Sequence, residues 1–387
     1  MVPIAYLNRI VVIGMVGVRE MAHMNLGTAR RALGTWMIPV LVALLEGLTH
    51  FGRMYSDSGG YVSMVKLLRG TAGVEEAQVI HWHGILRPVV PTLALPLSYL
   101  MSYRDAIATV NLGFLLLGTL FVYLLTRRLL NNRGAFVSAV CFASAFPNLF
   151  IGTAVLTDGP GYALEIITLY FLLFVLGEKK DFRNALFAGV LIGIGGLTKE
   201  TNLIVIPVFL FLRLLLHRDR LNMSSALLAA TIGIAIPLAW SQFVGFGYLA
   251  FYGQGLAFQT PGYNGLLLNP KLFALSAAYA FGLCLPFAFI GFFNVDDERF
   301  KTFCEILLSV GILLAMWPTA PEYRFTFLAF PAVLPLAASG MDKASEVLAR
   351  RPWLNRLSQR SWLVLFLLAT VALTNVASFR LYFRTPL

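Results

Sequence analysis

The stretch DAIATVNLGFLLLGTLFVYLLT, residues 105–126, carries no charged side chain after Asp105. An α-helix rises about 1.5 Å per residue, so a run of this length can cross the roughly 30 Å hydrocarbon core of a bilayer. Because that core offers no water to backbone N–H and C=O groups, a helix is the conformation that satisfies them within one segment. We therefore predict a membrane-spanning helix over 105–126.

Apolar runs of the same kind occur before and after this stretch. The full set is 36–52, 105–126, 134–156, 159–177, 184–198, 202–216, 225–247, 272–293, 303–318, 324–341 and 361–379. These runs predict an all-α fold, a polytopic transmembrane helical bundle of about 11 spans. The runs 184–198 and 202–216 are shorter than the roughly 20 residues that a crossing needs, so the residues between them are predicted to lie below the outer surface.

The composition is that of a membrane protein. Apolar residues make up 58% of the chain and charged residues 13%, and a soluble domain carries about twice that charge. We assign the net charge of +11 to short loops, where Lys and Arg set the orientation, and expect no nucleic-acid partner. The three cysteines lie within or beside apolar runs, so no disulfide framework is indicated.

The distribution of positive charge predicts that the N-terminus faces the cytoplasm. Residues 1–35 are predicted to be a cytoplasmic segment, either a helix on the membrane surface or an extended start. Residues 36–387 then form the transmembrane domain. The expected location is an integral membrane protein of the plasma or inner membrane, or of the endoplasmic reticulum in a eukaryote.

Two of the outer loops are long. The first, 53–104, contains amphipathic stretches at Gly60–Leu68 and Leu86–Tyr99, and the second, 245–271, is rich in Gly, Tyr, Phe and Asn. Long ordered loops usually carry function. We therefore look for chemistry on the outer face.

Two carboxylates are predicted to share that face. Asp57 follows the first span, and Asp158 lies in the hairpin between the third and fourth spans. Asp57 is a candidate general base that takes a proton from an acceptor hydroxyl. Both positions also suit helix N-caps, and for Asp158 the neighbouring Thr157 is an alternative cap.

Cations and further polar residues are predicted on the same face. Arg87 could hold a phosphate at headgroup depth or anchor the loop to headgroups. Lys199 and Glu200 either pair with each other or with neighbours, or Lys199 awaits the phosphate of an anionic lipid. His81 and His83 suit interfacial hydrogen bonding better than a zinc site.

Three other positions leave their roles open. Arg324, in the stretch Pro321–Phe325 with Glu322, is a further cation or part of a snorkelling interfacial cluster. Glu46 and Glu165 lie inside predicted spans. Each is either a proton-relay residue or a hydrogen-bond partner between helices.

The order of these motifs resembles the GT-C superfamily of integral membrane glycosyltransferases. It is most similar to the branch of dolichyl-phosphate-mannose protein mannosyltransferases and lipid A aminoarabinose transferases. The resemblance is carried by the acidic residue after the first span, the Pro-rich end of the first loop, Arg127-Arg128, Thr157-Asp158, the stretch Gly196–Lys199 and the stretch Glu322–Phe325. It covers about Asp57 to Pro207 and is looser beyond.

The resemblance implies an enzyme that moves a hexosyl or pentosyl group from a polyprenyl-phosphate-linked donor to an acceptor hydroxyl, with an extracytoplasmic site and inversion. It implies Asp57 and Asp158 as catalytic residues. It implies substrate contacts by Lys199, Arg87 and Arg324, and we take Glu200, Tyr61 and His83 as further candidates for substrate binding. No cofactor is expected, with a divalent Mg or Mn at Asp57 and Asp158 as the alternative.

Two other classes of function remain open at this point. A secondary transporter or lipid flippase would use Glu46, Glu165 and Lys199 as relay or substrate sites. Such transporters carry paired repeats with matching broken helices, and a short pair occurs here only at 184–216. A non-catalytic membrane scaffold is the third interpretation, which the charges on separate outer loops disfavour.

Overall fold

The structure, a computed structural model, describes residues 26–55, 57–73, 82–175, 182–216, 220–245, 247, 277–315, 327–352, 354 and 356–384. Within these ranges the fold is all-helical, as predicted. Every apolar run of the sequence overlaps a helix. Three helical stretches are both long and apolar enough to cross a bilayer, namely Tyr103–Leu129, Met223–Phe243 and Gln359–Ala377.

The α-helices differ widely in length. In chain order they are α1 Leu26–Thr49, α2 Ser58–Arg69, α3 Trp82–Leu86, α4 Val89–Ala94, α5 Tyr103–Leu129, α6 Asn132–Ala143, α7 Phe146–Ile151, α8 Asp158–Tyr170, α9 Phe182–Thr198, α10 Val205–Leu216, α11 Arg220–Phe243, α12 Cys284–Asn294, α13 Glu298–Ala315, α14 Phe330–Arg350 and α15 Gln359–Arg384. Short 3₁₀ turns occur at Leu97–Tyr99, Glu200–Ile204 and Phe327–Ala329, and a π-turn at Phe171–Val175 continues α8.

The segment between α1 and α5 contains short helices, where the sequence predicted amphipathic stretches. Helix α2 covers the stretch Gly60–Leu68, and it buries Tyr61, Met64 and Val65 while Leu67 stays exposed. The second long segment, 245–271, lies outside the described residues except for positions 245 and 247. Residues 1–25 are also outside them, and α1 begins at Leu26, ahead of the predicted run.

The predicted span 134–156 is not continuous, which corrects the sequence-based expectation. Helix α6 ends at Ala143, Ala145 is extended, and α7 begins at Phe146 with Pro147 in its first turn. Proline has no N–H and its ring collides with the carbonyl four residues earlier, so a helix cannot run through it undisturbed. At the break the carbonyl of Phe142 accepts from the Ala145 N–H at 3.1 Å and from the Asn148 side chain at 2.6 Å.

Helices α9 and α11 cross closely and thereby position the end of α9. A Cβ placed on Gly189 or Gly193 would lie within 3 Å of the side chains of Ile232 or Ile236 on α11. Small residues allow helix backbones to approach in this way, and the resulting packing contacts hold transmembrane helices together. The turn that follows α9 carries Lys199 and Glu200.

Candidate functional site

Two distant parts of the chain meet at the N-terminal ends of α2 and α8. The peptide N–H of Val155 donates to the carbonyl of Arg53 at 2.9 Å, and the Tyr55 hydroxyl donates to the carbonyl of Phe150 at 2.9 Å. The Arg53 guanidinium stacks over the Phe150 ring at 4.3 Å. The segment 53–61 therefore lies directly against the segment 150–158, so both candidate carboxylates are at one end of the bundle.

Asp57 is half-buried at the N-cap position of α2. Its side chain makes no capping hydrogen bond, so Asp57 does not act as a side-chain cap of α2. Residues four apart share a helix face, and the residue four positions on is Tyr61. The Tyr61 hydroxyl lies 3.1 Å from the Thr157 hydroxyl, next to Asp158.

Asp158 begins α8 and forms a buried ion pair with Lys199. The side chains of the two residues are 3% and 6% exposed. A Cβ on Gly161, one turn into α8, would lie 3.1 Å from the Cβ and 3.2 Å from the Cδ of Lys199. The lysine side chain thus runs along a gap on α8 that the glycine leaves, and it meets Asp158 at the helix N-terminus.

Arg87 and Glu200 form a second buried ion pair. The Arg87 Nε donates to Glu200 Oε2 at 2.8 Å and Nη2 donates to Oε1 at 2.5 Å, a two-pronged contact. Arg87 Nη1 also donates to the Tyr61 hydroxyl at 3.0 Å. The indole N–H of Trp240 donates to the carbonyl of Ile85 at 2.8 Å, which ties the turn before Arg87 to α11.

The two pairs are connected through hydroxyl groups. Glu200, Arg87, Tyr61 and Thr157 are linked by successive hydrogen bonds, and Thr157 is followed in the chain by Asp158, the partner of Lys199. Lys199 and Glu200 are adjacent in sequence, and each pairs with a residue from another part of the chain, Lys199 with Asp158 and Glu200 with Arg87. The sequence allowed the two residues to pair with each other or with neighbours, and the structure shows pairs with neighbours.

The charge states of the network follow from burial and pairing. Burial alone would raise the pKa of the Glu200 carboxyl, but the Arg87 guanidinium outweighs it and lowers that pKa to about 2. Burial would lower the pKa of Arg87, and the Glu200 carboxylate instead holds it well above its ordinary value. Burial raises the pKa of Tyr61, so its hydroxyl keeps its hydrogen and can donate it.

The remaining sequence candidates are placed as follows. His83 belongs to α3, but its side chain is outside the described part, as are His81, Glu322 and Arg324 altogether. Glu46 accepts a hydrogen bond from Asn375 on α15 at 2.9 Å, which is the helix-partner role. Glu165 is 1% exposed on α8, and among the described residues its Oε1 has no hydrogen-bond partner.

Sequence reasoning missed Thr157 as a site residue. It was considered as a helix cap, and it does occupy the N-cap position of α8, yet its side chain makes no capping bond and contacts Tyr61 instead. A threonine before an Asp-Gly-Pro helix start is an ordinary cap pattern. The sequence therefore contained no signal that would have distinguished the two roles.

Two comparisons with known proteins show what this chain is similar to. Residues 88–241 match the family model described as dolichyl-phosphate-mannose-protein mannosyltransferase. This match includes Asp158, Lys199 and Glu200, and it begins one residue after Arg87. A comparison with the curated proteins finds no match.

Solved structures of two membrane enzymes share the fold of this chain. ArnT from Cupriavidus metallidurans in the apo state is 16% identical, with a TM-score of 0.61 over 90% of this chain and 77% of that one. The Archaeoglobus fulgidus oligosaccharyltransferase AglB in complex with an inhibitory peptide and a dolichol-phosphate is 16% identical, with a TM-score of 0.60 over 92% of this chain. Its apo form gives a TM-score of 0.58 at 16% identity over 90% of this chain.

These comparisons confirm the resemblance to GT-C glycosyltransferases that the order of the motifs predicted. The chain spans 56% of the length of the archaeal oligosaccharyltransferase that it matches. At this level of identity the structures establish a shared fold. The activity of this chain must be argued from its own site.

Proposed function

We propose that this protein is a membrane glycosyltransferase that moves a sugar from a polyprenyl-phosphate-linked donor to an acceptor hydroxyl at the extracytoplasmic face. The observation that carries the proposal is the buried network of Asp158–Lys199 and Arg87–Glu200, linked through Tyr61 and Thr157. Ionisable groups inside a membrane protein are costly, so their collection in one place indicates a functional site. Most of the network lies inside the region that matches the mannosyltransferase family model.

The chemistry we propose is a single displacement with inversion. Asp57 takes the proton of the acceptor hydroxyl, whose oxygen attacks the anomeric carbon of the donor sugar. The bond between that carbon and the phosphate oxygen breaks, and the polyprenyl phosphate leaves with the electron pair. Because the leaving group is an anion of low basicity, it needs a positive field more than a proton, and Arg87 and Lys199 provide that field.

We further propose that the step needs no divalent metal. Asp158 is engaged by the Lys199 ammonium, so it could ligate a metal together with Asp57 only if that pair opened. The N–H donors of Arg87 and Lys199 can bind the phosphate oxygens that a metal would otherwise contact. Transfer measured after treatment with EDTA and gel filtration should therefore equal that of the untreated protein, and recovery only upon adding Mg or Mn would contradict this part of the proposal.

The test of the function uses protein reconstituted in nanodiscs with a radiolabelled polyprenyl-phosphate sugar and a panel of acceptors. We expect wild-type protein to release polyprenyl phosphate and glycosylate one acceptor class. The Asp57→Asn variant should lower the rate constant at saturating donor by at least about 100-fold, the lower end of what a general base contributes.

The matched control is Asp296→Asn, the same change at an exposed aspartate between α12 and α13. It should transfer at the wild-type rate. Undiminished transfer by Asp57→Asn would remove Asp57 as the base. Uptake of a solute into sealed vesicles without release of polyprenyl phosphate would favour the transporter interpretation.

A further inference from the structure

The hydroxyls of Tyr61 and Thr157 lie at the centre of the network and are themselves buried. Tyr61 is 1% exposed and Thr157 is not exposed at all, and their oxygens are 3.1 Å apart although the residues are separated by 96 positions in the chain. Two buried hydroxyls from different helices are brought together beside both ion pairs. Their hydrogen-bonding capacity can be counted from the contacts.

Arg87 has more donors than its partners use. A guanidinium carries five N–H groups and can only donate. Two of them bind Glu200 and one binds Tyr61, so two remain without an acceptor in the described part of the chain. Since Glu200 occupies the Nε and Nη2 edge of the guanidinium, the remaining donors are on the two Nη atoms.

The hydroxyl pair also has one donor in excess. Tyr61 accepts from Arg87, and a single hydrogen serves the bond between the Tyr61 and Thr157 oxygens, whichever of them donates it. The other hydroxyl hydrogen meets no acceptor among the residues that the structure describes. Thr157 could have used its side chain to cap α8 and does not.

Three donors in one place are available to an acceptor-rich partner. A buried donor without an acceptor loses the free energy of its lost water contacts, so such groups are retained where a ligand completes them. A phosphate group has acceptor oxygens and negative charge, and it matches both the Nη end of a guanidinium and a hydroxyl. A neutral sugar hydroxyl would accept from fewer of these donors, and it carries no negative charge to attract the Arg87 guanidinium.

We propose that the Tyr61–Thr157 hydroxyl pair donates a hydrogen bond to the phosphate of the lipid-linked donor, alongside the free Nη donors of Arg87, while Glu200 stays bound to Arg87. This inference rests on the proposed function and adds two neutral phosphate-binding residues to it. Glu200 acts through Arg87 by fixing the plane of the guanidinium, so it is a positioning residue. The phosphate binds without displacing either carboxylate of the network.

The experiment compares Thr157→Val with Thr157→Ser in nanodiscs. Valine keeps the shape of threonine and removes the hydroxyl, whereas serine keeps the hydroxyl and removes the methyl group. Binding is measured as the shift in melting temperature over a concentration series of farnesyl phosphate, with farnesol as the phosphate-free control. Transfer is measured in parallel as KM and kcat for the polyprenyl-phosphate sugar.

We expect Thr157→Val to raise both the Kd for farnesyl phosphate and the KM for the donor by about tenfold, the usual size for a lost hydrogen bond to a charged group. Thr157→Ser should stay within about twofold of wild type. Farnesol should bind all three proteins alike. Tyr61→Phe, which removes the other hydroxyl, should weaken farnesyl phosphate binding at least as much as Thr157→Val.

Equal weakening by valine and serine would overturn the inference, because packing and not the hydroxyl would then matter. Unchanged binding by both Thr157→Val and Tyr61→Phe would overturn it as well. A third outcome separates the two proposals. If wild type and Thr157→Ser bind farnesyl phosphate and Thr157→Val does not, the phosphate site stands. If none of these proteins, wild type included, then transfers sugar, the proposed function fails. Should Thr157→Val not fold, Tyr61→Phe decides the question alone.

Discussion

At the scale of single residues, the Arg87–Glu200 pair is where charge and burial are most closely balanced. The Arg87 side chain is 11% exposed and that of Glu200 is 14% exposed. Both charged groups have therefore lost most of their contact with water, and each depends on the other for stabilisation. We expect Glu200→Gln to lower the free energy of unfolding by about 3–5 kcal/mol, since it leaves the arginine charge buried without compensation. Chemical denaturation in mixed micelles, followed by circular dichroism, measures this loss.

The control for that prediction is Glu346→Gln, which removes the pairs of Glu346 with the exposed Lys343 and Arg350 on α14. An exposed pair contributes little, so this change should cost less than about 1 kcal/mol. A loss for Glu200→Gln as small as that of the control would mean that the buried pair is not maintained in the folded protein.

The same pair predicts a dependence of stability on pH. The pKa of Glu200 is lowered from 4.5 to about 2 in the folded protein, so its ionised form contributes stability that is complete above pH 4.5. This contribution is lost as the pH falls from 4.5 towards 2. The melting temperature of wild type should therefore fall more between pH 5 and 3 than that of Glu200→Gln, and parallel curves for the two proteins would contradict the prediction.

The ion-pair partners of Lys199 and Glu200 show how far the sequence predicted the site. Two short apolar runs predicted that Lys199 and Glu200 lie below the outer membrane surface, which stays a prediction, and within the protein both side chains are buried or nearly so. Their partners are 41 and 113 positions away in the chain, and one sequence carries no measure of such distances. The sequence supplied the residue types and the shared face, and the pairing required the fold.

At the scale of elements, the close approach of α8 to Lys199 makes a testable contact. A methyl group at position 161 would lie 3.1 Å from the Lys199 Cβ, so Gly161→Ala must displace the lysine by a few tenths of an ångström. Small displacements of groups at a reacting centre lower the reaction rate strongly. We expect transfer to fall by about tenfold, while the alanine's better helix propensity, up to about 1 kcal/mol, offsets much of the packing cost in stability.

Gly113→Ala is the matched control, because a Cβ at this helical glycine of α5 meets nothing within 4 Å. It should raise stability slightly and leave transfer unchanged. Equal rates for Gly161→Ala and wild type would show that the position of the Lys199 side chain does not limit the reaction.

The elements also show where hydropathy alone is insufficient. The run 134–156 is mostly apolar. Hydropathy indicates that such a run is buried in lipid or protein, but it does not indicate whether the helix is continuous. Pro147 and the extended Ala145 divide it into α6 and α7. The proline was visible in the sequence, but many transmembrane helices continue past a proline with a kink, and only the surrounding contacts decide between a kink and a break.

At the scale of the whole molecule, orientation is the property on which the proposed function depends. The positive charges predict that the segment 53–104 faces outward and the turn between α12 and α13 faces the cytoplasm. Two exposed positions report these sides, namely Leu100, which is 82% exposed, and Asp296. The natural cysteines are buried at 3% or less, so they should give little background with a thiol reagent.

Labelling with a membrane-impermeant maleimide on right-side-out vesicles therefore tests the orientation directly. We expect Leu100→Cys to react without disruption of the membrane and Asp296→Cys to react only after permeabilisation. The network of Lys199, Asp158 and Arg87 is joined to the segment 53–61 by hydrogen bonds, so the side that Leu100 reports is also the side of the site. The opposite labelling pattern would place the site at the cytoplasmic face, where the donor would have to be used before its lipid crosses the bilayer.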